Sequence, residues 1–426
     1  MIVPSIDLMN GRAVQLRRGK ELVLDGGDPL ARLDEFAVAG EVAVVDLDAA
    51  MGRGSNAAVI RQMVRRASCR VGGGIRDVDS ARAWLDAGAA KVMIGTALSS
   101  ELCGALPRDR VVAAVDAEHG EVVVDGWRRR TGANVLERIR ELRPVVGGFL
   151  VTQVEREGEM AGCDLTAVGD AVAAAGDARV TAAGGITTPD EVAELDRIGA
   201  DAQVGMALYT GRLSLGDAVA APLARPLEGD VWPTVVCDPA GRALGLVWST
   251  RQSLARAVNE RRGVYWSRSR RALWVKGETS GSAQHLLRVE LDCDRDALRV
   301  TVRQHGAGFC HLERPSCWGG GAGRFSVDDL ERVIAQRAAR PESASGTAKL
   351  LADPNLLAAK LREEAGELAD AVTPDQVVAE AADLLYMTLV ALTRGGGSLV
   401  DVNTTLARRH GAVTRRPMTA KSSGAP

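Results

Sequence analysis

Along residues 1 to about 222, short β-branched runs alternate with alanine-rich stretches whose apolar positions recur at helical spacing. Val42 to Leu47, Lys91 to Ile94 and Val111 to Val115 read as strands, while Ser80 to Ala87 and Asp190 to Arg197 read as helices. Such alternation predicts βα units around a parallel sheet. The pattern is written twice. Asp7, Gly11 and Val14 are matched by Asp116, Gly120 and Val123, an offset of 116 − 7 = 109, and the pairs Gly73/Gly184 and Gly95/Gly205 are offset by 111 and 110. Two copies of about 110 residues, each with room for four units, predict a (β/α)8 TIM barrel with a half-barrel repeat rather than an open sheet.

The texture changes twice further on. Ala221 to Asp230, with prolines at 222 and 226, reads as a linker, and Val231 to Trp318 then carries five of the chain's seven tryptophans. Glycines 319 to 321 and Gly323 read as a second linker. From Phe325 to about His410, alanine, leucine and charged residues at helical spacing predict an all-α domain, interrupted at Arg340 to Gly346. The polar tail Gly411 to Pro426 is expected to be disordered. The chain is thus predicted to be multidomain: a barrel over 1–222, an α+β domain over 230–319 and a helical domain over 325–411.

With 426 residues, 46% of them hydrophobic, and a formal net charge of −2, the chain has ample material for several cores. No window approaches 18 uncharged apolar residues, and Asp7 falls where a signal peptide needs its apolar region, so the expectation is a cytoplasmic protein with no membrane partner. Near-neutral charge gives no footprint for nucleic acid, although Arg268, Arg270 and Arg271 could hold phosphates locally. Seven cysteines, an odd number in a long chain, argue against a disulfide framework.

Candidate chemistry falls in three places. Asp7 and Asp116 each follow apolar strand residues, which puts them at the barrel mouth, where an acid and a base are needed; a strand-end aspartate can equally cap the next turn. Gly73 and Gly74, Gly184 and Gly185, Gly95 with Thr96, and Gly205 sit between strands and helices, where backbone N–H groups can approach two phosphates. In Leu291 to Asp296, an extended strand would set Asp292, Asp294 and Asp296 on one face and Cys293 on the other, sorting hard oxygens for Mg²⁺ from a soft thiolate for Zn²⁺. Cys310 and Cys317 supply two more thiolates, with His311 adjacent. Glu363, Glu364 and Glu367, then Glu380 and Asp383, lie at helical spacing on two helices that could face each other around a divalent metal; the same spacing also makes a solvated face. Leu361, Leu368, Leu384 and Leu385 put these acids near a core boundary.

Pro4 to Leu8 with Gly11 to Val14, Val45 to Ala50, Val71 to Arg76, Asp125-Gly126-Trp127 and Ala182 to Ile186 resemble the phosphoribosylformimino-AICAR ribotide isomerase of histidine biosynthesis over essentially residues 1 to 220. The resemblance implies an Amadori rearrangement of an aminoaldose bearing a phosphate at each end. It makes Asp7 the general base at C2 and Asp116 the general acid in ring opening, with Thr152 nearby and Trp127 stacking on substrate. Departures are Gln153, Glu157 and Glu159, where the family usually has Thr-Asp-Ile and Asp-Gly-Thr; Glu159 would bring an extra negative charge near the substrate. The sister cyclase shares the fold, but Ser5 and Asp-Gly-Trp favour the isomerase.

The acid-cysteine cluster, with Tyr265 to Arg270 and Trp274 to Gly281, resembles phosphoribosyl-AMP cyclohydrolase. That resemblance implies Zn²⁺ on Cys293, Cys310 and Cys317 drawn from two subunits, Mg²⁺ on the three aspartates, and a homodimer through this domain. Ser282 stands where the family has histidine, with His285 three residues on. Asp353 to Leu357, Lys360 and the helical acids resemble phosphoribosyl-ATP pyrophosphohydrolase, an all-helical Mg²⁺ enzyme; Met387 stands where histidine is common. Together the resemblances imply a trifunctional, nucleotide- and ATP-binding enzyme acting on small phosphoribosyl substrates. Two other readings stay open: a barrel that has drifted or also accepts the tryptophan-pathway aminoaldose, and a noncatalytic phosphate-binding scaffold.

Overall fold

The computed structural model describes residues 1–17, 19, 21–224, 229–318, 325–340 and 345–414. Part of the first predicted linker, the glycines of the second, the interruption after Arg340 and most of the tail lie outside the described residues.

Eight parallel strands, Ile2–Met9, Val42–Asp46, Cys69–Gly72, Lys91–Ile94, Val111–Glu118, Gly148–Gln153, Arg179–Ala183 and Ala200–Val204, pair in chain order. The first pairs with the last, Ile2 opposite Ala202, and the barrel closes. Val3, Ala43, Met93, Val112, Leu150 and Ala183 fill its lumen, one from each of six strands. The opposite faces carry Ile6, Val44, Val71, Val92 and Val180, which pack under the helices. Helix starts are set locally: Asp77 with Ser80, and Thr188 with Glu191, form reciprocal caps at corresponding points of the two halves.

The repeat is visible in the hydrogen bonding. Among the described residues, the first and fifth barrel strands alone run on into antiparallel ribbons. Ile2–Met9 pairs with Arg12–Arg17, which pairs with Glu21–Gly27; Val111–Glu118 pairs with Glu121–Val124, which pairs with Arg129–Asn134. Asp7 and Asp116 lie near the ends of those two strands, where the barrel gives way to the ribbons.

The middle segment forms a six-stranded sheet in the order Ala272–Val275, Val264–Ser267, Ala243–Ser249, Trp232–Cys237, Leu298–Gln304, Gln284–Leu291, with the helix Arg251–Glu260. One expectation is corrected here. Residues 292–297 are not strand but the tight turn joining Gln284–Leu291 to Leu298–Gln304. The cause is aspartate turn chemistry: Asp292 Oδ1 accepts hydrogen bonds from the amides of Asp296 and Ala297 at 3.0 and 3.1 Å, and the Asp292 amide donates to the Ala297 carbonyl.

Met1–Trp318 form one compact unit together with the described residues from Gly411 on, which the Arg110 guanidinium and Asp86 hold by the Gly411 carbonyl and the Val413 and Thr414 amides, against the expectation of disorder there. The barrel helix Leu215–Ala220 packs against Arg251–Glu260 so closely that a Cβ on Gly216 would lie 2.2 Å from the Ala255 carbonyl oxygen. The Gly216 amide donates to Asn259 Oδ1, and the Arg251 guanidinium donates to the carbonyls of Ala220, Ala221 and Leu223. Trp232 Nε1 donates to the Ala224 carbonyl. The described part of the expected linker is therefore a packed connection, and one hydrophobic core runs from the barrel into the sheet through Leu215, Leu223, Trp232 and Leu254.

The described residues of Gly319–His410 form a second unit. Its helices include Val327–Ala339, Gly346–Ala352, Pro354–Asp370 and Pro374–Arg394, around a core of Ile334, Leu350, Leu357, Met387, Leu389 and Val390. Pro374–Arg394 is long and apolar enough to cross a membrane by length and composition, a test that core helices of soluble proteins also pass.

Candidate functional site

The barrel mouth holds a cavity of about 600 Å³. Asp7 and Asp116 line it, as do Thr152, Trp127 and all seven glycine-loop positions expected to bind phosphate: Gly73, Gly74, Gly95, Thr96, Gly184, Gly185 and Gly205. Burial pushes the Asp7 carboxyl up to about 6, against a hydrogen bond from Ser5 Oγ at 3.2 Å. Burial also raises Asp116, opposed by hydrogen bonds from Trp127 and Thr152. The Trp127 indole donates to Asp116 Oδ2 at 2.8 Å, so this ring orients the candidate acid as well as bordering the cavity.

That contact depends on backbone shape. Asp125, Gly126 and Trp127 all have positive φ (58°, 64° and 65°), and the Asp125 amide donates to Thr96 Oγ1, tying the turn to a glycine loop. The glycines themselves are required by close approach. A Cβ on Gly73, where φ is +91°, would lie 2.2 Å from the Asp46 carbonyl oxygen; in the other half a Cβ on Gly184, φ +101°, would lie 2.6 Å from that of Gln153. The same clash recurs half a barrel apart.

The departures from the family pattern sort clearly. Gln153 is buried and outside the cavity lining; its amide donates to the Asp164 carbonyl and accepts from the Asp164 amide, pinning the following loop. Glu157 lines the cavity with Asp7, Asp116 and Asp125, and is pushed up to about 7 by burial and by the charges of Asp7 and Asp116. Among the three departures, Glu157 is the one whose charge couples to both aspartates, a relation its place in the sequence does not reveal. Glu159 is exposed and does not itself line the cavity, although Gly158 and Met160 on either side of it do.

In the middle sheet Asp292, Asp294 and Asp296 converge, each offering an oxygen within 4.8 Å of the others. Turn geometry, not strand alternation, brings them together. Cys310 and Cys317 are neighbours; burial and the Cys310 thiol raise the Cys317 thiol, opposed by the charge of Lys276. Cys293 is exposed on the aspartate turn, its Sγ 4.0 Å from Asp294 Oδ1, and no group of three metal ligands within 4.8 Å among the described residues joins it to the other two thiols. Among the described residues one chain therefore brings two of the three thiols together without the third within 4.8 Å. Ser282 is buried, and His285 sits 3.2 Å from Arg261, its ring held below the ordinary value by burial and by the charges of Arg261, Arg303 and His305. Arg268 stacks over the Trp248 ring at 4.3 Å.

In the helical unit Glu364, Glu367 and Glu380 come within 4.8 Å of one another across Pro354–Asp370 and Pro374–Arg394. Glu363 stands outside this group and pairs with Lys360 at 2.7 Å; Asp383 lies outside it too, though its charge reaches Glu364. Glu364 is buried, and desolvation with the charge of Glu367 raises its carboxyl. Met387 is a core residue packed with Leu389 and Val390.

Three family models match successive parts of the chain. The family model described as histidine biosynthesis protein matches residues 1–214, the phosphoribosyl-AMP cyclohydrolase model matches 245–319, and the phosphoribosyl-ATP pyrophosphohydrolase model matches 327–410. A histidine biosynthesis trifunctional protein of Saccharomyces bayanus is 45% identical over 191 residues, covering 45% of this chain and 24% of that protein. A histidine biosynthesis bifunctional protein of Schizosaccharomyces pombe is 41% identical over 210 residues, 49% of each. An imidazole-4-carboxamide isomerase of Myxococcus xanthus is 38% identical over 242 residues, 53% of this chain and 99% of that protein. The chain spans about a quarter to a half of the length of the first two relatives. With a family model across its first half and an isomerase matched nearly end to end, the chain belongs to the histidine biosynthesis protein family.

Proposed function

We propose that the chain carries three consecutive activities of histidine biosynthesis, in domains at 1–222, 230–319 and 325–411. The helical domain removes pyrophosphate from phosphoribosyl-ATP, the middle domain opens the adenine ring of phosphoribosyl-AMP by hydrolysis, and the barrel isomerises the resulting aminoaldose to an aminoketose. The observation that carries the reading is the cavity in which Asp7 and Asp116 converge between two related sets of glycine loops.

Asp7 takes the C2 proton. A carboxyl with its pKa near 6 is still largely ionised at neutral pH, yet holds a proton far better than a free aspartate, which suits a general base. Asp116, raised by burial and oriented by Trp127 and Thr152, gives a proton to the ring oxygen as the sugar opens. The glycine loops hold the two terminal phosphates through backbone N–H groups.

In the middle domain, Cys310 and Cys317 would hold Zn²⁺ together with Cys293 from a second copy, so this domain makes a homodimer; the separation of Cys293 from the other two thiols within one chain supports that arrangement. Zinc supplies the acidity that activates water. Asp292, Asp294 and Asp296 suit Mg²⁺ as hard oxygen donors. In the helical domain Glu364, Glu367 and Glu380 would hold Mg²⁺, with Glu363 and Asp383 flanking, and the ion bound there would supply neutralisation of phosphate charge. The partners in this reading are small phosphoribosyl nucleotides rather than nucleic acid or a membrane, and its compartment is the cytoplasm.

Supplying phosphoribosyl-ATP with Mg²⁺ and Zn²⁺ and following the species by chromatography tests the whole sequence. The expected end product is the aminoketose. Accumulation of the aminoaldose overturns the barrel assignment in favour of a scaffold, and accumulation of phosphoribosyl-AMP overturns that of the middle domain.

A further inference from the structure

Arg295 stands between Asp294 and Asp296 in the turn, and it is the residue through which the barrel grips that turn. Its guanidinium forks onto Asp196, at the end of the barrel helix Pro189–Arg197, with Nε to Oδ2 and Nη2 to Oδ1 both at 3.0 Å. The remaining nitrogen, Nη1, donates to the Asp292 carbonyl at 2.7 Å. The Arg295 carbonyl accepts from the Ala224 amide, just beyond the barrel, at 2.9 Å. Both side chains of the pair are largely withdrawn from water, 11% exposed for Asp196 and 21% for Arg295, so the contact is neither a rim pair nor easily screened.

Two features of the turn call for such an anchor. Arg295 has φ +66°, a left-handed conformation that a side-chain-bearing residue adopts only where its surroundings hold it. In addition, three carboxylates within 4.8 Å repel one another and favour an open turn. One edge of the guanidinium holds the Asp292 main-chain carbonyl, while the other is fixed to Asp196 on a separate element, so the backbone of the turn is tied down where its carboxylates push apart. A middle sheet without the barrel would keep the aspartates but lose Asp196 and the Ala224 amide.

We propose that the barrel positions the divalent-cation loop of the middle domain, with Arg295, held by Asp196, as the positioning residue that keeps Asp292, Asp294 and Asp296 converged. This rests on the reading that those aspartates hold a divalent cation. The fusion of barrel and sheet then has a structural role in the neighbouring reaction besides bringing two activities together. By the reciprocity of linked equilibria, cation binding in turn tightens the turn on the barrel.

The test is calorimetric titration of Mn²⁺ into the full chain, zinc-loaded, in a Glu367→Gln/Glu380→Gln background that silences the helical cluster. Asp294→Asn should abolish Mn²⁺ binding at the turn. Asp196→Asn and Arg295→Met should each weaken it about tenfold, the low end for groups that hold metal ligands in place. The double variant should weaken it no further than either single one, because both changes cut the same link. Isomerase turnover should be retained in both, since neither residue lines the barrel cavity. Hydrogen exchange at the amides of Asp296 and Ala297 should quicken in both variants, with or without metal. Affinities within twofold of wild type for Asp196→Asn and Arg295→Met, beside loss in Asp294→Asn, overturn the positioning role and leave the cation reading intact. Unchanged binding in Asp294→Asn overturns the cation reading and the proposal with it.

Discussion

Asp7 shares the barrel mouth with Asp116 and Glu157, and the three carboxyls cannot all be charged there without cost. An unfolded Asp7 loses its proton near 3.8 and the folded one near 6, because burial disfavours the charged form. Between those values the folded chain binds more protons than the unfolded one, so this group's contribution to stability falls as pH rises from about 4 to 6 and stays low above. A shift of roughly two units corresponds to about 2 to 3 kcal/mol. Asp7→Asn removes that penalty. The variant should gain about this much over wild type in urea unfolding at pH 8, with the difference shrinking towards pH 4.5, while isomerase turnover falls by roughly 10²- to 10⁴-fold. A stability difference independent of pH would contradict the burial argument, and unchanged turnover would remove Asp7 from the chemistry.

At the scale of elements, the glycine loops do two things: they leave backbone N–H groups bare and they let adjacent strand ends touch. Gly73→Ala separates these from mere flexibility, since a Cβ 2.2 Å from the Asp46 carbonyl must displace the end of Val42–Asp46, and φ +91° adds strain. The expected outcome is a loss of about 2 kcal/mol or more in denaturant unfolding, together with a rise in isomerase KM larger than the fall in kcat. Gly95→Ala is the contrast, because its Cβ would meet only the Ala114 methyl at an ordinary 4.0 Å; stability near wild type is expected there. These loops were legible in the sequence because the 110-residue offset set glycine against glycine at strand ends. The Trp127–Asp116 bond was not, since it depends on three successive left-handed residues; Asp-Gly at 125–126 was the available turn signal. The Asp292 triplet was misread for a physical reason: alternating acids suit a strand, but an aspartate side chain can also bind amides four and five residues ahead and fold the segment back. Helical spacing sets Glu363 beside Glu364, and it equally sets Lys360 one turn earlier within reach of both, at 2.7 and 3.8 Å.

At the scale of the molecule, the contact between Leu215–Ala220 and Arg251–Glu260 decides whether barrel and sheet behave as one body. A chain joined only by a spacer would let the two lose structure separately. Here Gly216 lets the helices meet at backbone distance, Arg251 caps the last carbonyls of the barrel helix, and Trp232 is buried beneath the connection. Apolar burial of this kind is cooperative, because exposing either face exposes the other. Gly216→Leu forces the helices apart at a position that touches neither the barrel cavity nor the middle domain's candidate ligands, and overpacking of this sort costs about 1–3 kcal/mol. Heating the variant and assaying both activities over time should give midpoints for isomerase and cyclohydrolase that fall together by a few degrees. If the cyclohydrolase midpoint stayed at the wild-type value while that of the isomerase fell, sheet and barrel would be separate cooperative units, and the packed connection would be only a contact between them.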